Sequence, residues 1–179
     1  MISTDVYSIR QIEEYDLDIL LEWRNSERIH SMMLTSHKIT MEEHLRWFKQ
    51  NSTKSPCRNL MFQYNNTPIG YIGYTAYDEI NKKCSPGAYL GITDNIPIDA
   101  GLFLFYYALD YAFEILGISI LETEVLKTNV KALKLDLFMG YKIIGENCFD
   151  RGNVQVESYI LELRKENWNK FKETFIFKL

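Results

Sequence analysis

Three groups of residues have the types and spacing for chemistry. The first is Tyr89-Leu90-Gly91-Ile92-Thr93, which runs through Asp94-Asn95-Ile96-Pro97-Ile98-Asp99 into Ala100-Gly101. A strand, a short loop and a helix start with small residues leave several backbone N–H groups free, and the helix dipole adds positive potential. That combination suits a pyrophosphate, although Asp99 points a carboxylate towards the same neighbourhood. The second group is Glu122 and Glu124. Strand alternation puts both on one face, with Thr123 and Val125 on the other, so a carboxylate base is available. The third is His30, His37 and His44, at intervals of seven. Two helical turns span about 10 Å, too far for neighbours to share one ion, so no metal site is expected.

Stepping along the chain gives the elements that must position these groups. Thr4 to Ile12 reads as a strand, and Asp16 to Asn25 as a helix capped by Asp16 with Leu17, Leu20, Leu21 and Trp23 on its apolar face. Ser26 to Leu34 continues as a short helix or turn. Thr40 with Glu43 is a capping box, opening a helix to about Asn51. Arg58 to Tyr64, Ile69 to Tyr77 and Ser85 to Thr93 form an antiparallel meander, turned first at Asn65-Asn66-Thr67-Pro68. The period then changes. Ala100 to Leu116 is a long apolar helix stopped by Gly117, Ile118 to Leu126 a strand, and Asn129 to Met139 a helix ended by Gly140. Tyr141 to Cys148 and Val154 to Leu163 make a last hairpin around Asp150-Arg151-Gly152-Asn153. The tail, with Trp168, Phe171 and Phe175, fits a short helix. The order β-α-α-β-β-β-α-β-α-β-β is that of a mixed-sheet α/β domain over residues 1–164, with a helical tail at 165–179.

Length and composition agree with one core. The chain has 179 residues, 46% apolar and 25% charged, as expected for a globular domain without disulfides. A net charge of −4 argues against a broad nucleic-acid surface while leaving room for a local basic pocket. The strongest apolar run, Ala100 to Leu109, falls well short of the roughly 20 residues of a membrane span. Cys57, Cys84 and Cys148 are odd in number and scattered, which fits a reducing cytoplasm. The N-terminus shows neither the charged nor the apolar region of a signal peptide.

The segment after the Ile118 strand carries a more specific signal. Asn129 caps, Ala132 permits close approach, Leu135 is apolar and Gly140 ends the helix before Tyr141. This resembles the Asn-x-x-Ala-x-x-Leu-Tyr-x-x-x-Gly-Phe pattern of the GNAT superfamily of acetyl-CoA-dependent N-acetyltransferases, over about residues 5 to 163. Trp23-Arg24-Asn25, the Ile39 to Phe48 helix with His44-Leu45, Gly87 to Ile92 and Leu121 to Val125 resemble the branch that acetylates nucleotide-linked 4-amino sugars in the pseudaminic-acid pathway. A ribosomal-protein-type branch shares the Trp-Arg-Asn opening.

The resemblance implies a mostly antiparallel sheet with splayed strands, flanked by helices, and acetyl-CoA as cosubstrate. It implies that Leu90, Gly91 and Ile92, Ile98, Asp99, Ala100 and Gly101, and Asn129 and Ala132 bind the cofactor. Glu124 is implied as base, with Tyr89 as a substrate or proton-relay hydroxyl. Arg24, Met33, His44, Trp47 and Phe48 are the expected acceptor contacts, and Arg46 a further partner for a diphosphate. Two departures stand out. The pyrophosphate loop keeps only its final small residue, and Asp136 stands where the family has the tyrosine that protonates the leaving thiolate. An ionised carboxylate cannot donate a hydrogen bond, so Asp136 must be protonated, be replaced by another donor, or be unneeded. The expected function is N-acetylation of a nucleotide-linked amino sugar. The alternatives are acetylation of a protein N-terminus or small amine, and a GNAT-fold module without activity. The aromatic tail fits either packing on its own domain or a homodimer interface.

Overall fold

The computed structural model describes residues 6–176, with side chains through residue 174. Thr4 and Asp5 of the expected first strand, and the Phe175 side chain and Phe177 of the tail, lie outside the described residues. Seven strands form one sheet in the order β1-β2-β3-β4-β5-β7-β6. They are β1 (Tyr7–Gln11), β2 (Asn59–Tyr64), β3 (Thr67–Asp78), β4 (Lys83–Leu90), β5 (Ile120–Leu126), β6 (Lys142–Asp150) and β7 (Gln155–Arg164). Five of the six pairings are antiparallel, and β4–β5 alone is parallel. The helices are α1 (Leu17–Asn25), α2 (Glu27–His30), α3 (Met41–Asn51), α4 (Ala100–Asp110), α5 (Val130–Phe138) and α6 (Lys165–Ile176).

Strand alternation sends neighbouring side chains to two cores. Leu60 and Phe62 of β2 join Phe103, Leu104 and Phe113 on the α4 face, whereas Met61 between them packs with Leu20, Trp23 and Ile29 under α1 and α2. The β2–β3 turn is Asn65-Asn66, both at positive φ (47° and 63°), the two-residue geometry whose twist matches a hairpin. Thr40 caps α3 as the spacing predicts: its hydroxyl accepts from the Glu43 N–H, and the Glu43 carboxylate accepts from the Thr40 N–H. Asn129 Oδ1 accepts from the Ala132 N–H in the same role for α5.

Two expectations are corrected. Asp16 does not cap α1. It ends a short 3-10 turn, takes a two-pronged hydrogen bond from Arg10 at 2.6 and 2.7 Å, and accepts from the Glu13 N–H. Burial would raise this carboxyl, but Arg10 and the Glu13 amide hold it below its usual value. The helix from Ala100 is also not uniform to Leu116: after Asp110 it widens into π-helical turns over Tyr111–Ile115. The Tyr74 hydroxyl donates to the Ala108 carbonyl at 2.6 Å where the widening begins, so a side chain from β3 competes for the helix's acceptors.

The tail packs on its own domain. Trp168 of α6 is fully buried, its ring 5.3 Å from Tyr106 and 6.3 Å from Phe113. Among the described residues, no helix is long and apolar enough to cross a membrane.

Candidate active site

The site begins where the sheet parts. β4 and β5 pair only at Lys83–Ile120 and Cys84–Leu121, after which the strands run on without laddering. Pro86 lies just past the last pair and has no N–H to offer β5. The Gly91 N–H donates to Ile69 on the β3 side. By alternation the Ala88 and Leu90 N–H groups then face the open side. Gly91 itself is therefore not a free donor, a correction to the expectation for that residue. Its place is structural: a Cβ there would lie 1.9 Å from the Trp23 ring. Arg28 of α2 fixes the same point by donating to the Leu90 and Gly91 carbonyls at 3.0 and 2.7 Å. Ile92 packs between the two cores.

At the start of α4 the expected amides divide. The Ala100 N–H is bonded to the Pro97 carbonyl, and the first helical bond is Phe103 N–H to Asp99. Among the described residues, no acceptor meets the Gly101 or Leu102 N–H. The Asp99 carboxylate is not aimed at these donors, since it accepts from the Tyr7 hydroxyl at 2.6 Å. The Ile98 side chain is fully exposed. Two open amides beside a parted sheet fit an anionic cofactor tail, with the carboxylate that would oppose it already engaged.

A cavity of about 510 Å³ opens from this seam. Its walls bring together Glu124, Asn129, Ala132 and Asp136 from one side and Arg24, Met33, His44, Trp47 and Tyr89 from the other. Nine residues singled out by the sequence thus line one cavity. Phe48 is not among them: it packs in the lower core and borders a separate small cleft with Ile12 and Asn59. Arg46 points away and pairs with Glu42 on the solvent face of α3.

Glu124 has unequal oxygens. Ser158 and Asn147, from β7 and β6, both donate to Oε1, at 2.5 and 3.1 Å. No described group donates to Oε2. Glu122, on the same strand, is instead paired with Lys83 at 2.6 Å. Asp136 is buried with no described hydrogen-bond partner, and burial raises its carboxyl from the ordinary 3.8 to about 7. Burial therefore favours the protonated form, in which this carboxyl can donate a hydrogen bond.

Aromatic rings shape the other wall. His44 stacks on Trp47 at 5.1 Å, Trp47 meets Tyr71 edge-on at 6.3 Å, and Tyr71 lies 5.2 Å from Tyr89. Burial raises the Tyr89 hydroxyl, so it stays protonated. Burial lowers the His44 imidazole, partly opposed by its hydrogen bond to the Leu17 backbone, and its Nε2 is buried without a partner. The connection from 31 to 40 supplies Met32, Met33, His37 and Ile39 to the cavity. It is held by paired hydrogen bonds between Asn25 and the Ile39 backbone, both 2.8 Å. Sequence reasoning missed Tyr71, Arg28, Asn147, Ser158 and Arg151. Each reaches the site through strand pairing or a long-range contact, for which adjacent sequence carries no signal.

The parted sheet thus opens on a cavity lined by two carboxyl groups in different surroundings, Glu124 and Asp136. Comparison with known proteins makes the class definite. The family model described as "Acetyltransferase (GNAT) domain" matches residues 9–158. Acetyltransferase PseH of Campylobacter jejuni strain 81-176 is 30% identical over 125 residues, 70% of this chain and 76% of that protein. The PseH of strain NCTC 11168 is 32% identical over the same shares. The spermidine N-acetyltransferase of Vibrio cholerae, solved with CoA and spermine, superposes with a TM-score of 0.82 at 16% identity, covering 93% of this chain and 99% of that one. A Salmonella typhimurium protein solved with acetyl-CoA gives 0.72 at 14% identity, covering 89% and 94%. The chain belongs to the GNAT acetyltransferase family, and it is an acetyltransferase.

Proposed function

We propose that this enzyme acetylates the amine of a nucleotide-linked 4-amino-4,6-dideoxy sugar, with acetyl-CoA as donor. The similarity to the PseH proteins and the Trp23-Arg24-Asn25 and Tyr89-Leu90-Gly91-Ile92 segments support the branch. The observation that carries the reading is the composition of the one cavity: a base and an acid at the seam, an apolar and aromatic wall, and the Arg24 guanidinium at the far side. Met33 and Trp47 offer apolar surface to a deoxygenated sugar, and Arg24 offers charge to a diphosphate. A peptide N-terminus would instead need an open groove, and here the 31–40 connection forms a wall of the cavity.

Acetyl-CoA, when bound, supplies the thioester that the acceptor amine attacks. The Gly101 and Leu102 amides bind its diphosphate tail. The Ala88 and Leu90 amides, facing the open seam, donate to the oxygen on which negative charge develops. Glu124 Oε2 takes the proton that the amine must lose, while Ser158 and Asn147 keep the carboxylate oriented. Asp136, whose protonated form burial favours, gives its proton to the departing sulfur. Tyr89 positions the acceptor by its hydroxyl. The test is thiol release with acetyl-CoA against a panel of uridine-diphosphate 4-amino sugars, peptides and polyamines. Turnover confined to the nucleotide sugars is expected; turnover with peptides or polyamines alone overturns the reading.

A further inference from the structure

A second guanidinium stands behind Arg24. Arg151, in the turn between β6 and β7, reaches across to the cavity wall: its Nη2 donates to the His30 carbonyl at 2.7 Å and to the Thr35 carbonyl at 3.4 Å. Arg24 Nη2 donates to the Thr35 hydroxyl at 2.8 Å. The two cations therefore meet on one residue. Among the described residues, the arginines that pair with carboxylates are Arg10, Arg46, Arg58 and Arg164, and neither Arg24 nor Arg151 is among them. Each also keeps a buried nitrogen with no acceptor, Nη1 of Arg24 and Nε of Arg151. The turn is fitted closely to the wall, for a Cβ at Gly152, whose φ is +59°, would lie 3.2 Å from Ser36 Oγ.

Adjacent like charges with no carboxylate to oppose them are costly, and an anion in the cavity relieves that cost. We propose that Arg151 completes, with Arg24, a subsite for the diphosphate of the acceptor. Arg24 lines the cavity and sets its guanidinium charge against the anion. Arg151 does not line the cavity. It is a positioning residue that ties residues 30–35 to the sheet's far edge and places a second positive charge behind Arg24. Burial and the Arg151 charge both hold Arg24 below its ordinary value, consistent with that placement.

This subsite rests on reading the cavity as the acceptor site, but not on the identity of the sugar. The experiment titrates uridine diphosphate by calorimetry into the protein with coenzyme A saturating, so the cofactor's own phosphate site is filled. Wild type is compared with Arg151→Lys, which keeps the charge, and Arg151→Gln, which keeps an N–H donor for the His30 and Thr35 carbonyls without charge. Binding about tenfold weaker in the Gln variant, and within about threefold of wild type in the Lys variant, is expected for a charge-assisted contact. Equal losses in both variants, or a Gln variant within about twofold of wild type, overturn it. Charge-dependent diphosphate binding without acetylation of any nucleotide sugar would sink the function proposed above and leave the subsite standing. Acetylation of a nucleotide sugar with KM unchanged in Arg151→Gln would do the reverse.

Discussion

Glu124 and Asp136 are both carboxyl groups on one cavity, and their surroundings differ in the way the two proposed tasks, base and acid, require. Glu124 is tethered through one oxygen by two donors, so it is oriented and has a lone pair to spare. Asp136 has no such donors and is buried, so it keeps its proton to about 7. Glu124→Gln is expected to lower kcat/KM by roughly 10²-fold or more, read by thiol release across pH, as for loss of a general base. Full retention would remove Glu124 from the chemistry. For Asp136 the sign is set by linkage. Between 3.8 and about 7 the folded protein holds a proton that the unfolded chain has lost, so stability falls as pH rises through that window. Asp136→Asn is therefore expected to be the more stable protein at pH 8, by about 2–4 kcal/mol, with no gain at pH 4, measured by urea unfolding. The same variant should lose turnover, while wild type loses turnover as pH rises above about 7. A residue that stabilises when removed and slows the reaction is holding its unfavourable burial for function.

At the scale of elements, local signals were legible and lateral ones were not. The capping box at Thr40, the Asn129 cap and the Gly140 stop are written within four or five adjacent residues, and the structure realises them. Asp16 carries the same kind of signal and was misread, because Arg10 on the neighbouring strand offers a charge-assisted partner stronger than a helix amide. Ser158, Asn147 and Arg151 come from a hairpin that chain order places last and sheet order places beside β5. No spacing rule links them to residues 24 or 124. Phe48 lies on the expected helix, but one position past Trp47, about 100° round the helix, where it turns to the lower core. Gly91 shows how closely the elements meet. Gly91→Ala is expected to cost about 1–3 kcal/mol, by overpacking the Trp23 ring, read as a lower urea midpoint with an unchanged slope. Midpoints within error of each other would mean that Trp23 moves freely.

The whole molecule has two cores on opposite faces of one sheet, and α6 closes the larger. Trp168 buries its ring against Tyr106, Phe113 and Phe171, so this part of the tail packs within its own chain. Trp168→Ala is expected to destabilise the protein by about 3–5 kcal/mol in equilibrium unfolding, the usual cost of emptying a large aromatic site. A loss below about 1 kcal/mol would mean that the helix is an appendage after all. The seam between β4 and β5 has a wider consequence. Four strands on one side and three on the other share two residue pairs, so the sheet is expected to open most readily along a hinge line there. Deuterium should enter the Ala88 and Leu90 amides within the first labelling time of the empty enzyme. It should be held out once a nucleotide thioester spans the hinge, so the ligand acts as the strand the sheet is missing.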